Sequence, residues 1–326
     1  MKEERISYEI AILNKRYLDL YHTYGIYEGR KNPKSILKTV KKYIFGGRIK
    51  EFGHLVESYL LRREKKKEAE SEGVDSSEFE PGLRVAVYTC LTGDYDTIKE
   101  PVYVNRDCCD FFIVTNEEVP GGSIWKKIDI DDFEEIKNLG PREKARYVKT
   151  HPHIMFPDYD YSIWIDASFT VMADVMPIIG AMGNAWFGVH NISNGTDCVY
   201  ENAVVEIGGK KESKENILRQ VQAYKAAGYP EHNGLFETGI LVRKHNEENC
   251  IRVMEDWWEQ MSTYCMRDQM SVNYVFWKNQ IPKSDVWILG NNIYMNPRFS
   301  WQPHRNYMEG LEHRAEKGGK NDKKQR

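Results

Sequence analysis

YSIWIDASFTV, residues 161–171, is the stretch on which the fold turns. Tyr161–Ile165 is a short run of aromatic and β-branched residues, the pattern of a buried strand. Asp166 follows at once, with two small residues, Ala167 and Ser168, behind it. A carboxylate at the C-terminal end of a buried strand lies where open α/β sheets place their ligands. Small neighbours there let a metal ion or a phosphate approach the backbone. The same Asp also suits a plain turn cap, so the surrounding chain has to decide.

Upstream, LRVAVYTCL (83–91) predicts a first strand, followed by the turn Thr92-Gly93-Asp94. FFIVT (111–115) predicts a second strand, and residues 125–130 a third. A helix is expected over 141–155, with Pro141 at its first position. Downstream, helix is expected from Pro177, and 185–189 reads as a strand opening onto His190. The spacing gives a helix over 214–228, a buried strand over 239–242, and helices over 249–263 and 267–277. Strands alternating with helices indicate α/β architecture with a mixed, mainly parallel sheet flanked by helices. Trp257 and Trp258 are adjacent on one helix and so face different ways, which makes core packing the better reading than a sugar-stacking platform.

Residues 1–72 lack strand alternation and are rich in Leu, Ile, Lys and Glu, which predicts an N-terminal helical region. Within it, residues 30–50 carry eight Lys or Arg and no acid. Ile36, Leu37, Val40, Tyr43 and Ile44 recur at helical spacing, so a basic amphipathic helix ending at Gly46-Gly47 is expected. Such a helix suits either packing on neighbours or contact with an anionic membrane surface. Residues 73–82 read as a linker, 83–305 as the catalytic domain, and 306–326 as a polar, basic, disordered tail.

A net charge of −3 argues against a dedicated nucleic-acid binder, and 41% hydrophobic residues with twenty Tyr and eight Trp supply a large core. The six cysteines include no CxxC and form no dense framework, the pattern of reduced thiols. MKEERISYEI lacks a signal peptide's apolar core, and no run of about 18 apolar residues exists to span a bilayer. The expectation is a cytoplasmic protein, peripheral to the inner face of the membrane if the basic helix binds lipid.

Four stretches carry a family resemblance: YTCLTGDYDTIKEP (88–101), KTHPHIMFPDYDYSIWIDAS (149–168), GLFETGILVRKHN (234–246) and RDQMSVNYVFWK (267–278). Together they resemble the glycosyltransferase-like domain found in bacterial polysaccharide loci and in plant Golgi proteins of mucilage and pectin synthesis. More distantly, their order is similar to family 8 glycosyltransferases of the GT-A fold. The resemblance implies a GT-A-like domain that takes a nucleotide sugar, with UDP-sugars foremost, and a Mn²⁺ or Mg²⁺ ion. The acceptor it implies is a glycan or a lipid-linked sugar in surface polysaccharide synthesis.

On that resemblance Asp166 is the first metal ligand, although the motif reads D-A-S, with Ser168 where a second acid is usual. His304 and His190 compete for a further ligand position. Thr89, Asp94 and Tyr95 match the nucleobase and ribose end. Arg146 and Lys149, three apart on one helix face, match the position of a basic residue on the diphosphate, where cations are required. Glu237 and Asp268 are the remaining catalytic carboxylates, with Arg267 and Gln269 beside them on the donor. One carboxylate would act as general base in an inverting reaction, or steady the oxocarbenium-like centre in a retaining one. Two other readings remain: a metal-dependent hydrolase of the ceramidase type, and a degenerate nucleotide-binding fold prompted by Ser168.

Overall fold

The computed structural model describes residues 80, 82–93, 95–193, 195–209 and 212–302. The N-terminal helical region, most of the linker, Asp94, His304 and the basic tail lie outside the described residues.

A seven-stranded sheet organises the described chain, in the order β3-β2-β1-β4-β7-β6-β8. The strands are β1 (Val85–Cys90), β2 (Cys109–Thr115), β3 (Lys126–Asp129), β4 (Tyr161–Ile165), β6 (Phe187–Asn191), β7 (Phe236–Arg243) and β8 (Val286–Gly290). Neighbours are parallel except around β7, which runs antiparallel to both β4 and β6. A second, two-stranded antiparallel sheet joins β5 (Phe169–Val171) to β9 (Phe299–Trp301). The mixed, mainly parallel sheet flanked by helices is the architecture that the sequence predicts.

Side chains alternate across the sheet, as strand geometry requires. Ala86, Tyr88, Trp164 and Leu241 pack on one face with α1 (Pro141–Thr150), α6 (Glu248–Thr263) and α7 (Val272–Lys278). Val87, Ile163, Ile165, Ile240 and Val242 pack on the other with α3 (Met176–Met182) and the small sheet. A third cluster joins α4 (Val199–Gly209) and α5 (Lys214–Ala226) to Leu235 and Met270. Trp257 is fully buried and Trp258 packs against the same core, as expected of core residues.

Several elements differ from expectation. The helix expected over 141–155 ends at Thr150, and a separate turn, α2 (Pro152–Met155), follows, because a proline disfavours helical backbone in the residue before it. The helix expected over 267–277 is instead a tight turn at Asp268–Met270 followed by α7. The strand expected at 239–242 runs longer, so Glu237 lies within β7 rather than before it. Among the described residues no helix is long and apolar enough to cross a membrane.

Candidate active site

The reversed strand β7 explains why distant motifs meet. Parallel β1 and β4 bring Thr89 and Asp166 to one edge of the sheet, and antiparallel β7 brings its own beginning there. The Asp166 N–H donates to Gly239 O at 2.8 Å, and the Phe169 N–H closes a turn onto Asp166 O at 2.8 Å. Gly239 lets the two segments approach closely. A Cβ there would stand 3.0 Å from Ile293 and from Phe169, and 3.5 Å from Asp166 Oδ2.

Lys149, on the last turn of α1, has no exposed surface, and its ammonium bridges two carboxylates. Nζ lies 2.5 Å from Asp268 Oδ2 and 3.4 Å from Asp166 Oδ1. Its companion Arg146 reaches Asp268 Oδ2 at 3.3 Å, as helical spacing of three allows. Thr238 donates to the same oxygen at 2.8 Å, and Trp164 Nε1 donates to Asp166 Oδ1 at 2.7 Å. The Lys149 ammonium, expected on a diphosphate, is paired here with the two carboxylates.

The carboxyls of Asp268 and Glu237 titrate in opposite directions because their surroundings differ. Burial alone would raise the Asp268 carboxyl, but Arg146, Lys149 and Arg267 outweigh it and hold the group well below the usual range. At Glu237 the pull of Lys149 and Arg267 is outweighed. Burial, and then the charges of Asp268 and Asp166, push it up to about 7. Gln269 Nε2 donates to Glu237 Oε1 at 2.5 Å, and Arg267 is occupied by Glu206 at 2.7 Å. Such a pairing of an ionised and a protonatable carboxyl is the pattern of acid–base work.

Beside this cluster a small recess of about 10 Å³, room for about one water, is lined by Thr89, Leu91, Lys99, Trp125, Ala167 and Phe169, among others. The buried Thr89 hydroxyl has no hydrogen-bond partner among the described residues. Lys99 Nζ grips Ala167 O at 2.9 Å, inside the D-A-S turn, and pairs with Asp96 at 2.9 Å. Tyr95 is 52% exposed at the same end, and Ser168 is buried. His190 is fully buried in β6, with Nε2 at 3.1 Å from Asn296 Nδ2, and burial lowers it to about 3. Its ring is thus part of the fold's interior rather than open at a strand end.

Sequence reasoning missed Lys99, Trp164, Thr238 and Glu206. Lys99 and Thr238 lie inside the quoted motifs, but nothing local sets either apart from its polar neighbours. Trp164 reads as core, and Glu206 lies on a helix that was not expected.

Residues 60–289 match the family described as TOD1/MUCI70, glycosyltransferase-like domain. The chain belongs to that family. A curated TOD1/MUCI70 relative, the probable hexosyltransferase MUCI70 of Arabidopsis thaliana, is 24% identical over 261 residues. That alignment covers 71% of this chain and 42% of the relative, so the chain spans less than half of the plant protein. Similar solved structures include the bifunctional glycosyltransferase WbbM (TM-score 0.39, 14% identity, covering 67% of this chain and 40% of WbbM). The mannosyltransferase Ktr4p from S. cerevisiae gives 0.37 and 8%, covering 68% and 74%, and the galactosyltransferase LgtC gives 0.34 and 14%, covering 63% and 72%. At these scores the likenesses carry no assignment; membership of the TOD1/MUCI70 family rests on the sequence match.

Proposed function

We propose that this chain is a GT-A-like glycosyltransferase that moves a sugar from a nucleotide diphosphate donor to a glycan or lipid-linked hydroxyl. One observation carries the reading: Asp166, Glu237 and Asp268, from three separate motifs, meet at one edge of the sheet around Lys149 and Gln269. The nucleotide would lie along the outside of that sheet edge, with UDP favoured and the diphosphate over Asp166. Glu237, near neutral in its titration, would take or return the acceptor proton, while Asp268 stays ionised and fixed.

A donor diphosphate brings negative charge, and the described site has little to meet it. Lys99, Lys149, Arg146 and Arg267 are each paired with a carboxylate. This balance favours a divalent cation, which would supply the missing positive charge at the diphosphate. Asp166 is held at Oδ1 by Lys149 and Trp164, and its side chain is 35% exposed. Among the described residues, no group of three or more His, Cys, Asp or Glu is placed to hold an ion. Mg²⁺ is usually held by one or two carboxylates plus substrate phosphates, so Asp166 fits an ion that arrives with the donor. His304, the other ligand that the family resemblance implies, lies outside the described residues.

The test is thermal. UDP plus Mn²⁺ at a hundredfold excess over its dissociation constant should stabilise the protein by about 2.7 kcal/mol, a shift of roughly 5–10 °C for a domain of this size. Chelator should shrink the shift, and Asp166→Asn should remove its metal-dependent part while the unliganded protein melts as before. An Asp166→Asn protein that fails to fold would mark Asp166 as a turn cap instead.

A further inference from the structure

One buried cation stands outside this balance. Arg243, at the end of β7, has no exposed surface. Its Nη1 donates to Lys149 O at 2.6 Å, and its Nη2 donates to the Tyr88 hydroxyl at 2.6 Å. Tyr88 in turn donates to Lys149 O at 3.2 Å, and Met254 Sδ lies 3.3 Å from Nη1. Arg243 Nε has no partner, and no carboxylate pairs with the guanidinium among the described residues. Burying an unpaired charge is costly. Part of that cost is offset because Lys149 O belongs to the last turn of α1, where orphan carbonyls carry partial negative charge.

The consequence is geometric. A single residue, Lys149, is held at its carbonyl by Arg243 and Tyr88, and at its ammonium by Asp268 and Asp166. We propose that Arg243 is a positioning residue of the donor site. It fixes the backbone of Lys149 so that the ammonium stands between the two carboxylates, and its own unmatched charge favours an anionic ligand in front of them. The nature of that ligand rests on the glycosyltransferase reading above.

A double-mutant cycle tests this, read by calorimetric binding of UDP and of GDP, each with Mn²⁺. Arg243→Lys should weaken the bound nucleotide about tenfold in the otherwise native protein. In a Lys149→Met background the same change should add less than about twofold, because the residue it acts through is gone. Tyr88→Phe, which keeps the cation and removes one of its acceptors, should weaken binding about threefold alone and not at all beside Lys149→Met. Should Arg243→Lys fail to fold, the Tyr88 cycle decides by the same criterion. Equal losses in both backgrounds would make the role merely structural and overturn the proposal, leaving the glycosyltransferase reading in place. Absence of nucleotide binding by the native protein would overturn both.

Discussion

Lys149→Met should lower the stability of the protein by about 3 kcal/mol, because it leaves the buried Asp268 carboxylate without its nearest cation. The figure is at the low end for a broken buried pair since Arg146 remains 3.3 Å away. For a domain of this size the melting temperature should fall by roughly 6–12 °C. Methionine fills the space of the lysine stem, so the loss reports charge rather than a cavity. Nucleotide affinity should fall with it, as Asp166 loses the ammonium on its inner oxygen. Urea unfolding at pH 7 measures the first effect. A variant as stable as the native protein would mean that the Lys149–Asp268 contact contributes nothing.

Glu237→Gln should cost activity far more than stability. Its carboxyl titrates at about 7 because burial and the neighbouring acids oppose its charge. A group tuned to the working pH is worth roughly 10²–10⁴ in rate as acid or base. Glutamine retains the oxygen that accepts from Gln269 Nε2, so the fold is kept. The sign of the pH effect is fixed. The folded pKa lies above the unfolded value, so the native state holds the extra proton between about pH 4.5 and 7. Stability of the native protein therefore falls as pH rises through that window, by about 3 kcal/mol in full. In Glu237→Gln that slope should be absent, making the variant the more stable protein at pH 8. Urea titrations at pH 5 and pH 8 read it directly, and parallel curves for the two proteins would contradict the assignment.

Much of this arrangement is legible in the sequence where pattern and chemistry are local. The run YSIWI announces β4, and Asp166 follows it at the sheet's edge, where such strands place a ligand-facing group. What escapes a linear reading depends on partners far away. Arg146 and Lys149 resemble a solvated helix face until Asp268, 119 residues downstream of Lys149, closes over them. The direction of β7 also cannot be read from GLFETGILVR, whose alternation suits either orientation, yet that direction carries Glu237 to the edge. Helix α4 went unexpected because its Val pairs and terminal glycines are weak helix formers, and tertiary packing through Asn202, Ala203 and Glu206 stabilises it. Strand β8, half-exposed at the sheet's edge, has no clean alternation to reveal it.

The eight basic residues of 30–50 lead to the expectation of binding to an anionic membrane surface. Co-sedimentation with anionic vesicles should weaken with salt, since each basic residue near the surface contributes only about 1 kcal/mol. A chain lacking those residues that sediments equally well would dismiss the idea.

The central claim is that Asp166, Glu237 and Asp268 form a site for sugar transfer from a nucleotide donor. Incubation with a panel of nucleotide sugars and Mn²⁺, following release of the nucleoside diphosphate, tests it most directly. One donor should be consumed, chelator should slow its consumption, and Glu237→Gln should reduce it by about a hundredfold or more. If no donor is consumed and none binds at millimolar concentration, the site is not that of a glycosyltransferase.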